Sequence, residues 1–252
     1  MFKRAAVLVV SCGALLGGCG GDPRGDTGEI VSNLLEAGFP ADDIEVVEDA
    51  VYVGRDAQVT LEASRQMLQP GEGSAEQYGS AGVGTAVTKI CVNPTSAFKS
   101  YTRLSQGLDM AIANYNSLGL RITFAWGPTT GCTANITAQT TSGTGGSAGF
   151  PSGGLPYGVI NIGTGLNSFS VDVNEHVITH ELGHTIGMRH SDFYDSSISC
   201  GSGGSGVPPP FSPIPGTPSA ATPGGSLMNT CPPPTPTGEF TSSDRTALQY
   251  LY

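Results

Sequence analysis

The sequence predicts an α+β protein with a loop-rich C-terminal part, and three observations support this. Residues 98–118 carry apolar side chains at helical spacing, and Gly119 follows as a stop signal. Residues 120–126 alternate between apolar and polar side chains, which is typical of a strand. Residues 191–239 are dominated by Gly, Pro and Ser, as loops are. We therefore expect helices beside a sheet, followed by a long irregular region.

The other elements follow from the same rules. Helical patterns are predicted from Thr27 to a stop at Gly38, over 62–68, and over 240–252 with Ser242 or Ser243 as the N-cap. Short strands are predicted at 44–47, 50–53, 58–61, 86–92, 132–141 and 157–162. Between the last two, residues 143–154 are predicted to be a glycine-rich loop.

Composition divides the chain into three parts. Residues 1–18 are predicted to be a signal peptide. Residues 19–84 are a small α/β region that ends in a linker rich in Gly and Ser, and this region is near the lower size limit for folding alone. Residues 85–252 form the main domain.

The N-terminus has the features of an export signal. Lys3 and Arg4 precede an apolar stretch at 5–16 that is too short to span a bilayer comfortably. The stretch runs into Cys19 and resembles a bacterial lipoprotein signal, which implies lipid on Cys19 and a place in the cell envelope, at the outer membrane. The alternative is an ordinary secretory peptide with a chance cysteine, and an extracellular protein. We expect membrane contact only through the lipid.

The charge balance bears on partners. The net charge is −10, and no basic cluster occurs beyond Lys3 and Arg4. Because phosphate binding needs a basic surface, we expect no nucleic-acid partner.

The strongest functional signal is the motif H-E-x-x-H-x-x-G-x-x-H at residues 180–190, which holds three of the four histidines of the chain. On a helix, His180 and His184 project from one face and can share a metal ion. Glu181 is then placed to reach a metal-bound water without being a ligand itself.

The second half of the motif explains the third ligand. The helix is predicted to begin near Asp172 or Asn174. Gly187 can adopt a positive φ and end the helix, so that the chain turns and His190 comes back to the metal. Three neutral imidazoles with an open fourth position are typical of one catalytic zinc ion. Glu181 would take a proton from the zinc-bound water and pass it to the leaving amine of a peptide.

Four cysteines remain after the signal and Cys19 are set aside, which suggests two disulfides in an exported chain. Three pairings are open. We favour Cys91–Cys132 and Cys200–Cys231, because each pair lies on one side of the histidine motif and closes a loop. Zinc binding by these cysteines is the weaker alternative, since no C-x-x-C spacing occurs.

The motif resembles that of the metzincin clan of zinc endopeptidases. It is most similar to the bacterial metallopeptidases named for an H-E-I-G-H core, with Leu182 in place of the isoleucine. The resemblance covers about 86–252 and implies a twisted mixed sheet, a long active-site helix, zinc at the three histidines and Glu181 as base. It also implies a methionine in a tight turn below the metal, a Met-turn, which Met228 matches.

One position departs from the clan. Some metzincins place a tyrosine two residues after the methionine to hold the oxyanion, and this chain has Thr230 there. The metal must then carry more of that work, or Tyr194 contributes.

An edge strand above the cleft pairs with the substrate backbone in such folds. The residues placed for that role are Tyr157, Gly158, Val159, Ile160 and Asn161. The alternative is an ordinary strand inside the sheet.

Three further residues have weaker signals. His176 lies one turn before the motif, and we expect it to lie outside the ligand set. Asp192 either orients a ligand, holds a turn or is a solvated acid. Related enzymes sometimes block zinc with an aspartate, so residues 28–68 are a candidate propeptide and Asp56 is one candidate among several acids.

Together these patterns predict an exported, lipid-anchored zinc endopeptidase that acts as a monomer on protein or peptide substrates. One alternative is a surface-anchored binding or adhesion module with a structural zinc, although such a site has no use for Glu181. The other is a zinc hydrolase of a non-protein amide.

Overall fold

A computed structural model of the protein describes residues 23–68, 82–204 and 214–252. The expected signal peptide, the lipid site at Cys19 and most of the linker lie outside these residues. Within them, no helix combines the length and the apolar character needed to cross a membrane.

Strands from both predicted regions form one mixed sheet. In chain order the described strands are β1 (Ile44–Val47), β2 (Ala50–Val53), β3 (Ala57–Val59), β4 (Lys89–Pro94), β5 (Thr123–Trp126), β6 (Ala134–Thr141), β7 (Gly146–Gly149) and β8 (Val159–Gly163). Their order across the sheet is β1-β2-β3-β7-β8-β6-β4-β5.

Strand direction changes along this sheet. Strands β5, β4, β6 and β8 are mutually parallel, and β7 is antiparallel to β8. Strand β3 then pairs with β7 in parallel, and β1, β2 and β3 form an antiparallel meander. The mixed sheet confirms the predicted α+β class. It also shows that the N-terminal strands continue the sheet of the main domain.

Helices flank the sheet, and two of them form the centre of the main domain. The described α-helices are α1 (Pro23–Glu36), α2 (Leu61–Met67), α3 (Ser96–Lys99), α4 (Thr102–Ser117), α5 (Val171–Thr185), α6 (Ser197–Cys200) and α7 (Ser242–Leu251). Helices α4 and α5 lie in close contact. A Cβ atom at Gly107 of α4 would lie 2.9 Å from the backbone of Asn174 and Glu175. The glycine therefore allows the two helices to approach this closely.

Apolar side chains form two clusters. The larger one joins α4 and α5 to the parallel strands, with Leu108, Ile136 and Leu182 fully buried. The second joins α1 and the meander to Phe150 and Phe193 of the main domain. The N-terminal region is therefore packed onto the main domain through an apolar interface.

The structure corrects two predictions about the strands beside the motif helix. The predicted glycine-rich loop at 143–154 contains a strand, β7. This strand was not predicted because its small residues do not alternate between apolar and polar side chains. Strand β8 lies between β6 and β7, so it has no free edge for a substrate. The residues predicted to pair with substrate are therefore part of, or directly precede, an ordinary inner strand: Tyr157, Gly158, Val159, Ile160 and Asn161.

Helix α5 begins earlier than the sequence predicted. Its N-cap is Ser170, whose hydroxyl oxygen accepts a hydrogen bond from the Val173 amide at 3.3 Å. Asp172 and Asn174 lie inside the first turn instead. The Asn174 side chain donates to the Leu166 carbonyl at 2.9 Å, so it fastens the helix start to the preceding loop.

Two other helix boundaries also differ from prediction. The single helix expected over 98–118 is divided at Ser100 and Tyr101 into α3 and α4. The terminal helix is capped by Thr241, one residue before the expected serines, in a reciprocal capping box with Asp244.

Both predicted disulfides are confirmed. Cys91–Cys132 joins β4 to the start of β6, and Cys200–Cys231 closes a loop across the irregular C-terminal region. The second bridge constrains chain that has few apolar residues of its own.

Candidate metal centre

Helix α5 and the turn after it bring three histidines together. His180 and His184 lie one turn apart on α5, which ends at Thr185. Gly187 follows with a φ of +105°, a conformation that glycine adopts without steric cost. The chain reverses there, and His190 returns to face the other two imidazoles.

The Nε2 atoms of these histidines converge on one point. The Nε2–Nε2 distances are 3.0 Å for His180–His190, 3.1 Å for His180–His184 and 3.2 Å for His184–His190. A tetrahedral ion with metal–nitrogen bonds of about 2.0–2.1 Å would hold such atoms about 3.3 Å apart. The spacing is therefore close to that of a ligand set.

Backbone carbonyls fix the orientation of two imidazoles. His180 Nδ1 lies 3.0 Å from the Leu227 carbonyl oxygen, and His184 Nδ1 lies 2.8 Å from that of Met188. A carbonyl oxygen only accepts, so each Nδ1 carries the proton and each Nε2 keeps a lone pair. Lone pairs that face one another at this distance repel unless a cation lies between them. The three residues therefore fit a metal ion.

Asp56 completes the cluster from the loop between β2 and β3. Its carboxylate oxygens lie 3.5 Å from Nε2 of His180, 3.5 Å from that of His184 and 3.2 Å from that of His190. The ligand atoms of these four residues all lie within 4.8 Å of one another.

Glu181 lies beside the histidines with its carboxyl group buried. It is 1% exposed, and its Oε2 atom has no hydrogen-bond partner among the described residues. A Cβ atom at Gly146 of β7 would lie 2.4 Å from Oε1, so the glycine leaves the space that this carboxyl group occupies. Burial, and then the negative charge of Asp56, raise the pKa of Glu181 well above its usual value.

The motif and its geometry agree with a comparison of sequences. A sequence model of the dual-action HEIGH metallo-peptidase family matches residues 51–252. The chain belongs to this family. The matched range includes Asp56 as well as the motif.

A comparison with solved structures finds two structures of myroilysin. The crystal structure of myroilysin matches with a TM-score of 0.41 and 14% identity, over 84% of this chain and 95% of that one. A second structure of myroilysin matches with a TM-score of 0.37 and 14% identity, over 70% of this chain and 95% of that one. No curated protein matches the chain.

In this HEIGH metallopeptidase, a buried methionine packs against α5 between His180 and His184. Met228 is 1% exposed, and a Cβ atom at Gly183 would lie 2.7 Å from its Sδ atom. The glycine between His180 and His184 therefore allows the sulfur to reach the helix. The chain reverses around Met228, with the Asn229 amide donating to the Ser226 carbonyl at 3.2 Å.

Two buried carboxylates hold this turn from opposite sides. Asp244 accepts hydrogen bonds from the Ser226 hydroxyl and, at 2.9 Å, from the Leu227 amide. Asp192 accepts from both the amide and the hydroxyl of Thr230, each at 2.9 Å. Of the roles weighed for Asp192, the structure shows that of holding the turn. Asp244 was missed, although the spacing of Thr241 and Asp244 carried the signal of a capping box.

Two other candidates in the metallopeptidase serve different purposes. The Tyr194 hydroxyl accepts from the Ala221 amide at 2.9 Å, and its ring belongs to the second apolar cluster. The His176 ring centroid lies 6.4 Å from that of His180, and the four-residue metal cluster does not include it. Burial lowers the pKa of His176 to about 4, so it is a neutral side chain packed beside the site.

Proposed function

We propose that this metallopeptidase is a zinc-dependent endopeptidase that hydrolyses protein or peptide substrates with Glu181 as general base. One observation carries the proposal. Three imidazole nitrogens, two of them with lone pairs left available by their Nδ1 partners, converge beside a buried carboxyl group that makes no structural bond through Oε2. A carboxyl group kept for structure would have its oxygen atoms satisfied.

Zinc is supported by the donor set. Zinc favours nitrogen ligands in tetrahedral geometry, and its catalytic sites have three protein ligands. Cysteine thiolates also bind zinc, but Cys91, Cys132, Cys200 and Cys231 are held in disulfides. The carbonyl partners of His180 and His184 keep both imidazoles neutral and oriented.

The proposed mechanism depends mainly on Glu181. When bound at the three histidines, zinc lowers the pKa of a bound water and polarises a carbonyl group. Glu181 accepts the proton of the attacking water in its buried carboxyl group. It then donates this proton to the leaving amine. The raised pKa of Glu181 suits a group that must be protonated in one half of the cycle.

We also propose that the chain is exported and carries lipid on Cys19. The charged start and apolar stretch of residues 1–18 support this, and so do the two disulfides, which persist in oxidising compartments.

The test compares Glu181→Gln with Glu239→Gln, a matched substitution on the surface. Each protein is incubated with zinc until its N-terminal mass is constant, and zinc content and casein cleavage are then measured. We expect about one zinc per chain in all proteins and a loss of cleavage of about 10²–10⁴-fold in Glu181→Gln alone. Full cleavage by a zinc-loaded Glu181→Gln protein would exclude the mechanism.

A second candidate is a binding module with a structural zinc, because Asp56 already stands at the fourth position. It predicts that no form of the chain cleaves casein, including forms that lack Asp56. Removing the metal with a chelator would then lower the melting temperature without a loss of any activity.

A further inference from the structure

We propose that Tyr252 is a positioning residue of the metal centre. Its hydroxyl holds the Ile186 carbonyl and so fixes the chain reversal at Gly187, which brings His190 to the other two histidines. This inference rests on the proposed function, because it names a residue that sets the geometry of the same centre. The turn itself, the hydrogen bonds of the hydroxyl, the contacts of the ring and the helix before it all support this role.

The reversal after α5 is a Schellman turn that acts on two histidines. The Gly187 amide donates to the His184 carbonyl at 2.9 Å. The Met188 amide donates to the Gly183 carbonyl at 3.0 Å. The Met188 carbonyl in turn accepts the Nδ1 proton of His184 at 2.8 Å. The turn therefore orients His184 and also leads the chain to His190.

The glycine permits this turn but does not select it. Gly187 has a φ of +105°, and a glycine adopts positive and negative φ about equally readily. The peptide plane between Ile186 and Gly187 contains the Ile186 carbonyl, so a hydrogen bond to that oxygen fixes the plane. The Tyr252 hydroxyl donates this bond, and the preceding Thr185 carbonyl accepts from the Tyr157 amide at 2.9 Å. Without the hydroxyl, the plane would lose its anchor on the carbonyl side.

The hydroxyl has two partners whose roles are fixed. The Val83 amide nitrogen lies 3.2 Å from the Tyr252 hydroxyl oxygen, and an amide N–H only donates. The hydroxyl therefore accepts from Val83 and gives its own proton to the Ile186 carbonyl. Burial, partly offset by the Val83 amide and the charge of Arg121, raises the pKa of Tyr252 to about 12. The hydroxyl therefore keeps this proton at neutral pH.

Arg121 holds the ring that carries the hydroxyl. Its guanidinium carbon lies 4.9 Å from the centroid of the Tyr252 ring, and its amide donates to the Tyr252 carbonyl at 2.8 Å. The same guanidinium donates to the carbonyls of Gly84 and Val87, at 3.2 and 3.1 Å. A Cβ atom at Gly82 would lie only 3.0 Å from the hydroxyl oxygen, so the glycine allows this segment to pass close to it. The ring is therefore held by groups from outside α7.

Helix α7 carries a second contact of this kind at its other end. Asp244, in its first turn, accepts from the Leu227 amide, and the Leu227 carbonyl orients His180. Tyr252 directly follows the last turn and holds the carbonyl before Gly187. At the rise of an α-helix, these two residues of α7 are about 12 Å apart along its axis. One rigid element thus locates two turns that orient different histidines.

The test compares Tyr252→Phe with Tyr250→Phe, the same change at a residue of α7 that is 47% exposed. Both are made in full-length protein with Glu181→Gln, so that the proposed base cannot cleave the sample. Zinc affinity is measured by competition with a chelator, and visible absorption is recorded after loading with Co²⁺. We expect Tyr252→Phe to bind zinc about 10-fold more weakly and to change the Co²⁺ absorption bands. Tyr250→Phe should match the parent in both measurements.

A purely structural role of Tyr252 predicts a different result. Tyr252→Phe keeps the ring and would then lower only the melting temperature of the metal-free protein. Zinc affinity and a Co²⁺ spectrum equal to those of the parent, in a variant that circular dichroism shows to be folded, would overturn the proposal. If Tyr252→Phe does not fold, Arg121→Lys replaces it, because lysine keeps the charge but not the planar group over the ring. Unchanged zinc affinity in that variant would equally overturn the proposal.

The binding of zinc and Co²⁺ does not require cleavage, so this inference and the proposed function can fail separately. If Tyr252→Phe weakens zinc binding but no form of the chain cleaves casein, the proposed function fails while the positioning role stands. If casein cleavage depends on Glu181 but Tyr252→Phe binds zinc as the parent does, the proposed function stands and the positioning role is wrong.

Discussion

The turn that holds Met228 should depend strongly on one carboxylate, Asp244. It is 1% exposed and accepts four hydrogen bonds, from the Ser226 hydroxyl, the Leu227 amide, and the amide and hydroxyl of Thr241. The substitution Asp244→Ala removes the acceptor and leaves the donors inside the protein. Because the Leu227 carbonyl orients His180, the metal centre should respond as well.

The stability lost in Asp244→Ala depends on which of the hydrogen-bond donors find new acceptors. The Thr241 hydroxyl also contacts the Gly225 carbonyl at 3.0 Å, so it keeps a partner. The amides of Leu227 and Thr241 cannot rotate. An unsatisfied buried amide such as that of Leu227 costs about 1–3 kcal/mol, and the half-buried amide of Thr241 costs less because water can reach it. We therefore expect Asp244→Ala to lower the free energy of unfolding by about 3 kcal/mol, a large share of the roughly 5–15 kcal/mol of a typical domain. Asp244→Asn keeps one carbonyl oxygen for these amides and should cost only about 1–2 kcal/mol.

The assay is urea unfolding of metal-free protein in the Glu181→Gln background, followed by competition for zinc with a chelator. The control is Asp109→Ala on the exposed face of α4, which should stay within about 0.5 kcal/mol of the parent. Zinc affinity should fall about 10–100-fold in Asp244→Ala, as for other residues that orient a ligand. The account of the turn would be refuted if Asp244→Ala lowered the free energy of unfolding by less than about 1 kcal/mol. It would also be refuted if Asp244→Ala cost less stability than Asp244→Asn.

Two further predictions concern helix α5. Gly183→Ala gains up to about 1 kcal/mol of helix propensity but drives a methyl group against the Met228 Sδ atom. We therefore expect urea unfolding to show a net loss of about 1–2 kcal/mol in the free energy of unfolding. In a Met228→Ala background the Gly183→Ala change should carry no penalty, and a penalty that persists there would show that the sulfur is not the cause. Burial, partly offset by a hydrogen bond from Asn114, raises the pKa of Glu175 to about 7, so the folded state holds this proton more tightly than the unfolded state. The stabilisation is then complete below pH 4.5 and is lost as the pH rises through about 7. In metal-free protein, Glu175→Gln should reduce the fall in melting temperature between pH 5 and pH 8 by a few degrees, and an unchanged fall would contradict the buried proton.

Much of the fold could be predicted because its signals are local. Strands β1, β2 and β6 alternate or carry β-branched residues, and turn residues mark their ends. The convergence of the three histidines was also predictable, since a helix and one glycine turn bring them together within eleven residues. Three cysteine pairings were open, and chain order favoured the one that the structure shows, Cys91–Cys132 and Cys200–Cys231.

The remainder depended on contacts between distant parts of the chain. Asp56 is one of many acids in the sequence, and only the pairing of β3 with β7 brings it to the histidines. Strand β7 consists of Gly146, Ser147, Ala148 and Gly149, so it has no apolar period to detect. Its glycines are needed for packing instead. A Cβ atom at Gly146 would clash with Glu181, and one at Gly149 would clash with the Tyr157 ring.

The composition of β7 also bears on solubility. Exposed strand edges promote association between molecules, and proteins usually protect them with charged side chains or proline. Strand β7 has neither, and its residues are too small to obstruct a second chain. While β3 is paired with it, the edge is satisfied within one molecule. A substitution that unfolds β3 would leave this edge bare, and the edge could then pair with the backbone of another molecule. We therefore expect such a variant to be more prone to aggregate than the intact chain.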